Sequence, residues 1–137
     1  MRDFLRTPVS NGNPREQALI RRWWYEEHGA RGRLVWEYYL EGKYADAMWF
    51  PKEETQGEEQ PGTNASDKYP LNGMRVVLCE AKLKLTPEVV GQALVYTRFA
   101  LHAGANVERT IVFCESGDSP MKRAATELNL DLVIREL

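Results

Sequence analysis

The segment that most restricts the fold is RVVLCEAKLKL, residues 75–85, which runs straight into Thr86-Pro87-Glu88. A largely apolar run of this length, with Glu80 and Lys82 set into one face, reads as a buried central strand. Thr86 as N-cap and Pro87 at the first helical position start a helix immediately after it. That helix reaches about His102, with Gly104 as its C-cap. A further apolar strand at 109–115 completes a strand–helix–strand crossover, so these two strands are expected to run parallel.

The rest of the chain supplies the sheet's other members. Asn13-Pro14 opens a first helix that runs to about His28 and stops at Gly29. Residues 33–40 and 43–50 are β-rich and separated only by Glu41-Gly42, the spacing of a tight hairpin, and Pro51 ends the second strand. Residues 52–73, KEETQGEEQPGTNASDKYPLNG, are polar, acidic and rich in Gly and Pro, and read as one long loop. A third helix is expected at 118–128 and a last strand at 130–134. The resulting order, α-β-β-β-α-β-α-β, is that of an α/β domain with a mixed sheet flanked by helices. Its length of 137 residues fits one domain, spanning 1–137, with 52–73 as an acidic loop insertion.

Composition excludes several function classes. No apolar segment approaches the roughly 18 residues of a membrane span, and the charged stretch 1–10 does not resemble a signal peptide. A cytoplasmic location is the expectation. Cys79 and Cys114 sit in apolar runs and read as reduced core thiols; two cysteines build no disulfide framework and no four-cysteine cluster. The net charge of −2 is that of no strongly basic nucleic-acid binder. Charge is uneven, however: seven arginines face four acids in residues 1–33, and two lysines face five acids in residues 52–73. A phosphate-binding face on the first segment is compatible with that asymmetry. The acidic loop would then repel a phosphate backbone and gate the site.

Chemistry concentrates in residues 76–83. Period-two alternation puts Val76, Leu78, Glu80 and Lys82 on one face. Burying such charges costs several kcal/mol unless they are paired or bind a metal. On the second strand Tyr44, Asp46, Met48 and Phe50 share a face, so Asp46 is again an isolated acid among large apolar neighbours. Adjacent strands would let Asp46 and Glu80 point into one site. Two carboxylates and the Ala81 carbonyl form a hard-oxygen half-shell suited to Mg²⁺ or Mn²⁺. Lys82 beside it could hold the attacking water or stabilise charge developing on a phosphate.

Ala45-Asp46, then Glu80-Ala81-Lys82 on the next strand, then a helix, resembles the signature of the PD-(D/E)XK nucleases. Gln92-Ala93-Leu94-Val95-Tyr96 is similar to the QxxxY element of their RecB-like members. The resemblance covers roughly residues 14–115. It implies a restriction-endonuclease-like αβββαβ core and a Mg²⁺-dependent phosphodiesterase, an endo- or exodeoxyribonuclease acting on DNA. It also implies that Gln92 lines the active site and that Tyr96 contacts DNA or packs nearby. An acid from the first helix usually joins such sites; Glu16 is the choice, with Glu26 and Glu27 as rivals. Arg21, Arg22, Arg31 and Arg33 are the candidates for phosphate contact. Ala45 stands where the nominal motif has Pro, and the segment between Asp46 and Glu80 is longer than usual. So short a chain has little room for a separate specificity domain, which points to a homodimer or a partner protein. The same fold also admits a catalytically inactive nucleic-acid-binding or assembly module.

Plainer roles are assigned elsewhere. His28 and His102 fall in last helical turns, where a histidine suits the helix dipole. Trp23, Trp24, Trp36 and Trp49 read as packing residues.

Overall fold

A computed structural model describes residues 4–9, 12–62 and 70–137. Asp67, with the rest of residues 63–69, lies outside the described residues. The described elements run in the order α1 Pro14–His28, β1 Arg33–Leu40, β2 Lys43–Phe50, β3 Glu58–Pro61, β4 Arg75–Ala81, α2 Pro87–His102, β5 Asn106–Cys114, α3 Ser119–Glu127 and β6 Asp131–Ile134. Among the described residues they form one six-stranded sheet of order β3-β1-β2-β4-β5-β6 and three helices. The sheet is mixed: β1, β2 and β4 pair antiparallel, while β4, β5 and β6 pair parallel. This is the α/β architecture expected from the element order.

Local chemistry starts and stops the helices as the sequence indicates. The Asn13 side chain accepts the N–H groups of Arg15 and Glu16, and Gly29 closes α1 in the left-handed conformation at φ 58°. Thr86 caps α2 through the Val89 N–H. Its other end differs by one residue: Ala103 is the C-cap, and Gly104 follows at φ 89°. Helix α1 covers one face of the sheet, burying Ile20, Trp23 and Trp24 against Trp36, Ala47, Val77, Cys79 and Phe113. Helices α2 and α3 cover the other face, over Met48, Val76 and Leu78 and over Val112 and Cys114. All four tryptophans are buried, and both cysteines are buried free thiols.

Two expectations about the strands need correction. Residues 52–73 are not one loop: β3 pairs parallel to the outer edge of β1, from Arg33↔Glu58 to Trp36↔Pro61. Its acids are consumed internally. Glu59 accepts from Arg21 Nε and Trp36 Nε1, both at 2.9 Å, and from Arg6 at 3.0 Å, while Glu58 lies 3.4 Å from Arg33. The excess negative charge read from composition is therefore largely neutralised there, which removes the basis for a repulsive gate. The central strand also ends earlier than residue 85, at Ala81, with an isolated bridge between Lys84 and Ser116 beyond it. Lys82 thus lies outside the strand's alternation, and its side chain is exposed.

Candidate functional site

The ladder between β2 and β4 pairs Trp49↔Val77, Met48↔Leu78 and Ala47↔Cys79, and then stops. The next two residues, Asp46 and Glu80, replace main-chain pairing with side chains. The Asp46 N–H donates to Glu80 Oε2 at 2.7 Å, and the Ala81 N–H donates to Asp46 Oδ2 at 2.8 Å. Each carboxylate is thereby anchored on the other's strand, and the two acids are held side by side.

The pair is electrostatically loaded. Glu80 is only 2% exposed. Burial, and next the charge of Asp46, hold its carboxyl well above the usual range, against the opposing effect of the Asp46 N–H. Burial likewise pushes Asp46 up to about 6; the Ala81 N–H and Lys82 oppose this, while Glu16 and Glu37 reinforce it. Such crowded acids favour a proton or a cation in their midst.

A small cavity of about 20 Å³ abuts Asp46, lined by Glu16, Gln17 and Ile20 of α1, Glu37 of β1 and Ala81. That is space for about one water or ion. Glu16 reaches it from the first turn of α1, and burial raises its carboxyl despite the nearby Lys82. The rival acids lie elsewhere: Glu26 pairs with Arg22 and Glu27 with Arg135. Lys82 acts on Asp46 and Glu16 through its charge, and among the described residues it forms no ion pair with Glu80.

The expected shared face of Tyr44, Asp46, Met48 and Phe50 does not exist. Met48 and Phe50 pack beneath α2 together with Ala45, whereas Asp46 lines the cavity under α1 and Tyr44 is exposed. Both strands of the hairpin turn over at this point. Glu37 is the residue that sequence reading missed. Its signal is an acid set between Trp36 and Tyr38 in an aromatic strand, opposite Asp46.

The remaining candidates divide. Tyr96 packs with Phe99 at 6.2 Å between ring centroids, and its hydroxyl is raised first by burial and then by the charges of Glu80 and Asp46. It therefore lies at the margin of the site. Gln92, one helical turn earlier, is exposed, and among the described residues no hydrogen bond ties it to the acids. Arg21 is not available to a phosphate: it is 1% exposed, donates to Glu59 and to the Phe4 carbonyl, and lies 5.1 Å over the Trp36 ring. Arg22 binds Glu26 and the Glu136 carbonyl. Arg33 is held by Glu58. Arg31 is exposed beside Trp49, beyond the far end of α1 from Glu16. Basic residues of the first segment thus mainly tie the fold together.

His28 packs between Trp23 and Trp49, at 4.6 Å from each ring, and burial lowers its proton affinity. Glu115 binds Arg15 and takes no part in the site.

The converging groups are carboxylate oxygens, the donor type that a hard divalent cation takes. Among the described residues, however, no three His, Cys, Asp or Glu side chains stand close enough together to hold a metal ion by themselves. Two carboxylates with a carbonyl and waters remain the available set. Among the described residues no helix is long and apolar enough to cross a membrane. No family model, curated protein or solved structure matches the chain.

Proposed function

We propose that this chain is a PD-(D/E)XK-type, Mg²⁺- or Mn²⁺-dependent phosphodiesterase that cleaves DNA, on a restriction-endonuclease-like core, in the cytoplasm. The observation that carries this reading is the reciprocal anchoring of Asp46 and Glu80 where the β2–β4 ladder opens. A buried and a half-buried acid held together against their own repulsion are costly in a protein that only has to fold. They are useful where a cation must be held beside a phosphate.

In this reading Asp46, Glu80 and the Ala81 carbonyl hold the ion. A divalent ion bound there supplies Lewis acidity to the phosphate and a nucleophile at neutral pH. Glu16 shares the cavity and orients water on the α1 side. Lys82, exposed next to the acids, stabilises negative charge developing on the phosphate. Gln92 and Tyr96 lie along α2, where they position the strand to be cut. With most arginines of the first segment committed to ion pairs, DNA affinity rests on Lys82, Arg31 and a second copy or partner protein.

A second reading, a catalytically silent nucleic-acid-binding or assembly module on the same fold, draws on the lack of a three-ligand group among the described residues. One experiment separates the two: cleavage of single-stranded, duplex, flap and junction DNA, and of RNA, with Mn²⁺, with Mg²⁺ and with EDTA. Metal-dependent cleavage lost in Glu80→Gln supports the nuclease. Binding without cleavage under every condition refutes it in favour of the module.

A further inference from the structure

We infer that Glu37 is the positioning residue of the acidic site, acting through its left-handed backbone: it turns the β1–β2 hairpin over and so brings Asp46 out from beneath α2 into the cavity that Glu16 lines. This rests on the cation-site reading above only where metal binding enters its test.

The hairpin keeps one register throughout, with Trp36↔Ala47 on one side and Tyr38↔Ala45 on the other, but the intervening pair Glu37/Asp46 is missing from the ladder. Glu37 has φ 51°, a conformation unfavourable to a residue with a Cβ and rare inside a strand. Trp36 and Ala47 face α1. Strict alternation would then send Glu37 and Asp46 beneath α2 and bring Tyr38 and Ala45 back under α1. The reverse is found: Tyr38 and Ala45 join the cluster beneath α2, and Glu37 and Asp46 line the cavity under α1. Two successive residues on each strand therefore face the same side, and the sheet turns over without losing register.

What holds Glu37 there is packing on both sides. Trp36 is fully buried under α1 and Tyr38 is 3% exposed in the opposite cluster, so the intervening residue must absorb the reversal. The chain leaving β3 locks it from outside, since a Cβ at Gly62 would stand 1.9 Å from the Glu37 carbonyl oxygen. In a regular hairpin Asp46 would project beneath α2 among Met48 and Phe50, away from the cavity that Glu16 lines. The sheet thus accepts an unfavourable residue at 37 to place one carboxylate, a pattern found at functional positions.

The test is amide hydrogen exchange in the metal-free protein, read at the Asp46 and Ala81 N–H groups that bind the two carboxylates. Four variants separate backbone from side chain: Glu37→Gly and Glu37→Asn tolerate the left-handed region, Glu37→Gln keeps the size without the charge, and Glu37→Val disfavours that region. Positioning through the backbone predicts wild-type protection at both amides in the Gly, Asn and Gln variants, and about tenfold faster exchange in Glu37→Val. The amides of Met48 and Leu78 serve as the control for general loosening. If Glu37→Val does not fold, the Gly and Gln variants decide alone. Loss of protection in either shows that the carboxylate itself is required and overturns the inference, as does wild-type protection in a folded Glu37→Val. Mn²⁺ affinity, titrated in the same proteins, follows the same order. A wild type that binds no Mn²⁺ refutes the cation-site reading, while the exchange data still decide the role of Glu37.

Discussion

Asp46→Asn should make the metal-free protein more stable at neutral and alkaline pH. The substitution keeps the shape of the side chain, and the amide oxygen can still accept the Ala81 N–H that Asp46 Oδ2 receives at 2.8 Å. What it removes is a charge in a buried, acid-rich place. Burial is the main cause that lifts this carboxyl from the usual 3.8 to about 6. At about 1.4 kcal/mol per unit, the ionised form costs the folded state roughly 3 kcal/mol. That cost is already net of the Ala81 hydrogen bond, and discounting it for the partial exposure of Asp46 leaves a gain of roughly 2 kcal/mol. Because the folded value is raised, the penalty is fully present above about pH 6. It shrinks as pH falls through that value and is gone near 3.8, where folded and unfolded chains are both protonated. Urea denaturation in EDTA at pH 8, 6 and 4 is the assay, and a gain of this size moves the midpoint by about 1 M. If the site takes a cation, saturating Mn²⁺ reverses the order, since about 100 Kd of ligand adds roughly 2.7 kcal/mol to the wild type alone. A variant no more stable than wild type at pH 8 in EDTA, or one whose advantage grows as pH falls, refutes the reasoning.

Three further outcomes follow from the same structure. Arg21→Met should destabilise the fold by about 3 kcal/mol, because it leaves Glu59 without its buried partner; equal denaturation midpoints together with weakened DNA binding would return Arg21 to the phosphate contacts. Lys82→Ala should lower single-turnover cleavage by at least about tenfold while Mn²⁺ affinity measured by calorimetry stays level or rises, and cleavage at the wild-type rate would remove Lys82 from the reaction. Gly62→Ala should cost about 2 kcal/mol or more in thermal and urea denaturation, since its Cβ would meet the Glu37 carbonyl at 1.9 Å; an unchanged stability would show that the β3 connection moves freely.

The pair Asp46 and Glu80 was legible because one isolated acid in each of two apolar strands is expensive, and a sequence shows that isolation directly. Glu16 was legible only through resemblance, since nothing local distinguishes it from Glu26 and Glu27. The internal pairing of Arg21 was hidden for a related reason. Arg21 and Glu59 are 38 residues apart, and composition cannot show that charges so distant will cancel in one buried contact. Strand β3 escaped notice because Glu-Glu-Gln-Pro has neither β propensity nor alternation; it is a strand only because β1 offers it an open edge.

Features that depend on near neighbours are set locally along the chain. Asn13-Pro14 and Thr86-Pro87 start their helices because cap and ring act within one turn, Glu41-Gly42 closes a hairpin, and unbroken apolar runs make β4 and β5 interior strands. Tertiary structure alone decided which way Asp46 points. Alternation assigns it to the face beneath α2, but Trp36 and Tyr38 are buried on opposite sides of the sheet and Gly62 presses on the residue between them. The strand can satisfy both burials only by turning over at Glu37, and Asp46, opposite it, turns with it. That contest is between contacts far apart along the chain, and its winner is set by how much apolar surface each arrangement buries.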